Sequence, residues 1–345
     1  MKKIVYLHPN VKNLNDMIEY LCLDDSFLNY VVWDEKNPEI VIASEHIYKD
    51  HKMMKTLKGF YQKNALLIYH AGEAAFPDLT IFDYAIAINT RLINLDRIVR
   101  IPPSIFYARS TIRDQSVNNV SLKTAYNVLN EKDAFCAFIY SNPVAHPMRD
   151  KLFFEISKYK RVDSLGGHLN NVHIKNTRHN KNWAVLSVEM KKPYKFTISS
   201  ENALFDGYTS EKILTSFQAH SIPIYWGNPY IAEEFNQKAF INCHDFDNID
   251  ELIKYIKKID EDDDLWKQMI SEPWQTVEQI NAVNFQMKLY KQFMYNLFTQ
   301  DLNSLKRRPE GTFASMYSEW FFKKFKTKNK YRIAFKKFIK KILKK

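Results

Sequence analysis

The sequence predicts an α/β protein. Three observations carry that prediction. Short, continuous apolar runs recur along the chain, helical stretches separate several of them, and residues 196–229 read strand, polar turn, helix, strand in that order. Continuous apolar runs suit parallel strands covered on both faces. Strands alternating with helices indicate parallel α/β units. At 345 residues the chain exceeds one small core, so one large or two medium domains are expected.

Ile4 to Leu7, Tyr30 to Trp33, Glu39 to Ala43, Ala65 to Tyr69 and Tyr84 to Ile88 read as the first strands, with helices over 11–23 and 46–57. A first α/β domain is placed at 1–155. Its fourth strand runs into His70-Ala71-Gly72-Glu73. Ligands of open α/β sheets bind beyond the carboxyl ends of strands, so Glu73 is a candidate site carboxylate. A solvated loop acid would look the same in sequence. His70 is read as a packing residue. Phe135 to Tyr140 is a further buried strand, followed by Ser141-Asn142-Pro143, and Arg149 opens an amphipathic helix.

A second domain is placed at 156–300. It opens on the turn Gly166-Gly167, where missing side chains allow either close approach to a ligand or simply a tight bend. Asn170, Asn171, Lys175 and Arg178 follow in a polar segment. Phe196 to Pro229 is the stretch richest in chemistry. Gly207 lies in its turn, Glu211 and Lys212 stand at the mouth of its helix, and Pro223 and Gly227 bracket its second strand. A helix N-terminus with a lysine suits an anion, above all a phosphate. A helix is expected over 246–259 and a long one over 275–300. The acidic run Asp260 to Asp264 between them is read as a solvated, helix-starting segment rather than a metal-binding DxD motif. No metal site is expected.

The net charge of +11 belongs to one end of the chain. Residues 321–345 hold eleven lysines, Arg332 and no acid, which leaves the rest near neutral. Tyr331, Phe335, Phe338 and Ile342 share one helical face, with lysines around it. A docked terminal helix and an in-plane membrane helix both fit, and the second reading is adopted for the 301–345 tail. No nucleic-acid partner is expected. Cys22, Cys136 and Cys243 have no metal-ligand spacing and read as reduced core thiols. The N-terminal MKKIVYLHP reads as a strand rather than a signal peptide. The expected location is cytoplasmic, at the inner face of the membrane.

These residues resemble glycosyltransferase family 10, the bacterial α1,3/4-fucosyltransferases. Ser199-Ser200-Glu201-Asn202, Asp206-Gly207-Tyr208-Thr209-Ser210-Glu211-Lys212 and Ile222-Pro223-Ile224-Tyr225-Trp226-Gly227-Asn228-Pro229 look like the family signature. Gly72-Glu73 with Phe82-Asp83-Tyr84-Ala85-Ile86, the 135–149 segment and Gly166-Gly167 agree with it. The likeness covers roughly residues 65–300. It implies a GT-B architecture, two Rossmann-like domains facing across a cleft, with the acceptor on the N-terminal one and GDP-fucose on the C-terminal one. It implies an inverting single displacement that needs no metal and no permanently bound cofactor. Glu73 would be the general base. Lys212 would neutralise the departing diphosphate, Glu211 would bind the ribose, and Asn202, Tyr208, Ser210, Gly166, Gly167, Asn170 and Arg178 would complete the donor site.

The glycan acceptor, GlcNAc in a lipopolysaccharide-type chain, would be lipid-linked and take fucose in α1,3 linkage. The alternatives are another GDP-linked deoxy sugar as donor, or a non-catalytic glycan- or membrane-binding homologue. One departure stands out. Bacterial members carry a diphosphate-binding arginine shortly after the glycine turn, where this chain has Asn170 or Asn171. Lys175 or Arg178 would then supply the charge, or Lys212 would act alone.

Overall fold

The computed structural model describes residues 1–89, 96–111, 121–172 and 183–325. The chain forms two compact units, one of Met1–Ile101 with the segment from Gln286 onward, the other of Pro102–Phe285. Each is built on its own parallel sheet.

The first unit holds β1 (Lys2–Leu7), β2 (Val31–Trp33), β3 (Ile40–Ser44), β4 (Leu66–His70), β5 (Tyr84–Ala87) and β6 (Ile98–Arg100), in the order β2-β1-β3-β4-β5-β6. Every pairing is parallel. Strands β3, β4 and β5 are buried along their whole length, as their apolar runs require. Helix α1 (Leu14–Tyr20) is shorter than the 11–23 stretch, because Asn13 caps it by accepting from the Asp16 N–H. Helix α2 (His51–Gln62) starts later than residue 46, because Asp50 accepts from the N–H groups of Lys52 and Met53. Glu45–Tyr48 ahead of it form a 3₁₀ turn.

The second unit holds β7 (Ala134–Phe138), β8 (Val162–Ser164), β9 (Tyr194–Ser200), β10 (Ile222–Trp226) and β11 (Ile241–Asn242). Its helices are α3 (Pro103–Thr111), α4 (Leu122–Asn130), α5 (Met148–Tyr159), α6 (Trp183–Lys191), α7 (Glu211–Gln218), α8 (Ile231–Glu234), α9 (Ile249–Glu261) and α10 (Asp263–Ser271). The strand order is β11-β10-β9-β7-β8, again all parallel. Counted from its own first strand, each sheet begins 2-1-3-4-5, a doubly wound order whose ligand site lies where the winding reverses. In the second unit that switch point lies between β7 and β9.

Residue alternation fixes the two faces of this sheet. Phe196, Ile198, Ile222, Ile224 and Trp226 pack into one core with Leu152 and Ile156 of α5, Ile256 of α9 and Trp266 of α10. Tyr225 points the other way, into a cluster with Ile213 and Phe217 of α7 and with Trp274. On that second face β9 is polar yet buried. Thr197 meets the Ser221 hydroxyl at 2.7 Å, and Ser199 meets the Ser216 hydroxyl at 2.9 Å.

The division between units falls at Ile101/Pro102 rather than near 155. Strand β7, read from sequence as the end of the first domain, pairs with β8 and β9 and so belongs to the second sheet. A buried apolar strand carries no mark of which sheet it joins. The expected boundary at 300 also moves, because the chain returns to the first unit within α11 (Val277–Thr299). Fully buried Asp83 anchors the returning segment by accepting from the N–H groups of Arg307 at 2.9 Å and Arg308 at 3.1 Å.

A helix over 312–325 follows. Its Phe321 and Phe322 are buried, with their rings against Tyr48 and Tyr61 respectively. The basic tail therefore does not begin as a free segment at 321, since its first residues are part of a folded core. Tyr331, Phe335, Phe338 and Ile342 lie outside the described residues. No helix among the described residues is long and apolar enough to cross a membrane.

Asp260 is buried rather than solvated, and accepts from Lys160 and from the Tyr159 hydroxyl at 3.0 Å each. Asp262 does start α10, by accepting from the N–H groups of Asp264 and Leu265. No group of three or more His, Cys, Asp or Glu able to hold a metal occurs among the described residues.

Candidate active site

A cavity of about 350 Å³ opens at the switch point of the second unit. Tyr140, Ser141 and Asn142 enter it from the carboxyl end of β7, Gly166 from β8 and Asn202 from β9. Glu211, Lys212 and Thr215 come from the first turns of α7, and Arg149 from the start of α5. Trp183, Ser187 and Lys191 line it from α6 at four-residue spacing, one face of that helix.

Lys212 is held from behind. Its ammonium donates to Glu201 at 2.9 Å and to the Ser210 hydroxyl at 2.8 Å, and its side chain is 18% exposed. Burial disfavours its charge, but Glu201 and then Glu211 outweigh that, and its pKa is raised above the ordinary lysine value. Glu201 is completely buried and also accepts from the Ser210 N–H at 2.8 Å and the Ser210 hydroxyl at 2.7 Å. Gly227 exists to leave it room. A Cβ there would stand 2.4 Å from Glu201 Cγ, at a φ of +156° that side chains rarely adopt.

Arg149 is 1% exposed, and its guanidinium lies over the Tyr140 ring at 4.2 Å. It donates to the Asn142 carbonyl at 3.2 Å and to the Asn202 side-chain oxygen. Its Nε has no partner and it meets no carboxylate among the described residues. A buried guanidinium with an orphan donor on a cavity wall is a place for an anion. Tyr140 is fixed by accepting from the Ser200 N–H at 2.7 Å, and burial pushes its phenol up to about 12. Gly166 packs so tightly on this strand end that a Cβ would fall 2.0 Å from the Tyr140 carbonyl oxygen.

The structure thus brings Gly166, Asn202, Glu211 and Lys212 together, and treats the other expected donor residues differently. Gly167 is exposed outside the cavity lining. Tyr208 is 2% exposed and Ser210 4%, both off the lining. The Ser210 hydroxyl is engaged with Glu201, and Tyr208 Oη lies 3.4 Å from the Asn202 amide. Asn170 donates back to the Gly166 carbonyl at 2.7 Å, and Asn171 accepts from the Ser164 N–H at 2.7 Å. Both stabilise the turn itself, so neither stands in for an arginine. Lys175 and Arg178 lie outside the described residues.

Glu73 sits in the first unit, part-buried in the loop after β4. The preceding Gly72 N–H donates to Glu45 at 2.9 Å, which fixes the loop. His70 is buried and bonded to the Tyr6 hydroxyl through Nδ1, and burial lowers its pKa to about 4.

Four contributors escaped the sequence reading. Arg149 was read as a helix start within the 135–149 segment, Tyr140 as a strand end and Glu201 as a motif letter, none with a role of its own, and Lys191 was not read at all. The SEN and SN motifs beside the first three were the available signals. Lys191 had none to distinguish it from its neighbour Lys192.

The sequence matches the family model for the glycosyltransferase family 10 (fucosyltransferase) C-terminal region over residues 129–319, more than half the chain. The α-(1,3)-fucosyltransferase FucT of Helicobacter pylori is 34% identical over 223 residues, covering 56% of this chain and 44% of that protein. A crystal structure of an α1,3-fucosyltransferase superposes with a TM-score of 0.66 at 25% identity, over 87% of this chain and 90% of the other. One with GDP-fucose shares the fold at 24% identity and a TM-score of 0.63, over 87% and 91%. The chain spans less than half the length of the curated relatives it matches first.

Proposed function

The chain belongs to glycosyltransferase family 10, the fucosyltransferase family, and on that premise we propose that it transfers L-fucose from GDP-fucose to a hydroxyl of a glycan. The observation that carries the reading is the cavity at the second switch point, where Lys212 and an Arg149 free of carboxylates converge. That charge and shape suit a nucleoside diphosphate. A related structure with GDP-fucose supports the identity of the donor.

Displacement at the anomeric carbon leaves a diphosphate whose negative charge grows in the transition state. Lys212, kept charged by Glu201, and Arg149 stabilise it without moving. Glu211, at the start of α7 beside Lys212, binds the ribose hydroxyls. Asn202, oriented by Arg149, donates its amide to the donor. Glu73 takes the proton of the attacking hydroxyl, giving inversion in one step. The acceptor is GlcNAc in a lipopolysaccharide-type, lipid-linked chain, fucosylated in α1,3 linkage. The basic tail holds the enzyme at the inner face of the cytoplasmic membrane, and no metal enters the chemical step.

The test is transfer from GDP-fucose to N-acetyllactosamine, lacto-N-biose and lipid-linked glycans, with product linkage determined and chelator present. Glu73→Gln is expected to lower kcat by about a hundredfold or more while GDP binds as in wild type. Undiminished turnover would remove Glu73 from the mechanism, and transfer of a different GDP-linked sugar would replace the donor.

A further inference from the structure

Lys191 is a lysine where the fold has little use for one. It ends α6, is 4% exposed, and lines the cavity beside Lys212. Its amine meets no carboxylate among the described residues. It donates instead to the Thr215 hydroxyl at 2.5 Å and reaches the Ser216 hydroxyl at 3.4 Å. Those hydroxyls direct their own protons at the Lys212 carbonyl, at 3.1 and 3.0 Å, and so present lone pairs to the amine. The amine is therefore positioned by neutral acceptors, at a wall of a cavity suited to a diphosphate.

We propose that Lys191 is a third diphosphate-binding cation beside Lys212 and Arg149, whose charge is completed by the donor, so that above neutral pH GDP-sugar binding takes up a proton from solvent onto its Nζ. This rests on the donor reading above. It also answers the charge deficit at the glycine turn, where Asn170 and Asn171 are tied up in the turn. Burial, the larger effect, lowers the Lys191 pKa to about 7, with Glu211 opposing and Lys212 reinforcing. The charged groups that share the cavity are Glu211 and Lys212 from α7 and Arg149 from α5, with Glu201 behind Lys212. A diphosphate beside the amine favours its charged form and raises its pKa. The new N–H bond forms at Nζ, the proton comes from water or buffer, and no other bond changes.

The sign of the linkage is definite. Affinity is full below about pH 7 and is lost as pH rises toward the bound-state pKa. GDP binding should weaken roughly tenfold between about pH 7.5 and 9. Calorimetric titration of GDP into the full chain, in two buffers of different ionisation enthalpy near pH 8, should show uptake approaching one proton. Lys191→Met should flatten the pH profile and abolish most of that uptake. Lys191→Arg, always charged, should bind at pH 9 better than wild type. Guanosine, lacking phosphates, should show no uptake. An unchanged proton count and pH profile in Lys191→Met, with GDP still bound, overturns the proposal. Failure of wild type to bind GDP at any pH overturns the donor reading, and this inference with it.

Discussion

Replacing Glu201 by glutamine, alone and together with Lys212→Met, probes how the donor cavity keeps its charge. The two groups lie 2.9 Å apart, with the carboxylate fully buried and the lysine side chain 18% exposed. At an effective dielectric near 20 their gross attraction is about 6 kcal/mol, and desolvation of the buried carboxylate cancels most of it. Glu201 Oε1 also accepts from the Ser210 N–H at 2.8 Å and hydroxyl at 3.0 Å, and a glutamine oxygen in that place keeps those two bonds. Glu201→Gln should therefore cost about 2–3 kcal/mol, chiefly the ion pair. Lys212→Met should cost about 3–5 kcal/mol, because it strands a buried carboxylate. The double variant removes both charges and should fall short of the summed losses by about 2 kcal/mol. Urea denaturation of the four proteins at neutral pH measures the cycle. Additivity within about 0.5 kcal/mol would show that the pair does not hold Lys212, and the account of its charge would fail.

Gly166→Ala must displace the Tyr140 carbonyl from a contact of 2.0 Å, a clash with backbone rather than a flexible side-chain tip. A loss of roughly 1–3 kcal/mol in urea stability, with weaker GDP binding, is expected, and wild-type behaviour in both would contradict the packing described for the cavity. In the absence of nucleotide, Lys191→Met should stabilise the protein near neutral pH. The folded pKa of Lys191, about 7, lies below the ordinary lysine value of 10.5, so between them the unfolded chain carries more protons. Wild-type stability should then rise by up to about 1.4 kcal/mol per pH unit from about pH 7 toward 10 from this group. Denaturation midpoints of wild type and variant across that range check the sign, and parallel curves would refute it.

The two parallel sheets expected of a GT-B chain are present, and most strands were legible because each is a continuous apolar run buried on both faces. The placement of β7 was not legible, since a buried strand is apolar whichever sheet it joins. Helix starts moved to the residues with capping side chains, Asn13 and Asp50, which periodicity alone overran. Within the cavity, Glu211 and Lys212 could be read because they open a helix after a glycine turn. Tyr208 and Ser210 come from the same motif but pack beneath it, and only three-dimensional geometry separates lining from support. Arg149 and Lys191 escaped because a charged residue at a helix end normally signifies solvent. Here the first is stacked on Tyr140 and the second is buried against hydroxyls.

The central claim is that the cavity of the second unit holds the diphosphate of GDP-fucose through Lys212. Calorimetric titration of GDP-fucose into wild type and Lys212→Met tests it most directly. The account predicts one saturable site in wild type and an affinity at least about tenfold weaker in the variant, equivalent to about 1.4 kcal/mol. Equal dissociation constants for the two proteins, or no binding by wild type, would contradict it.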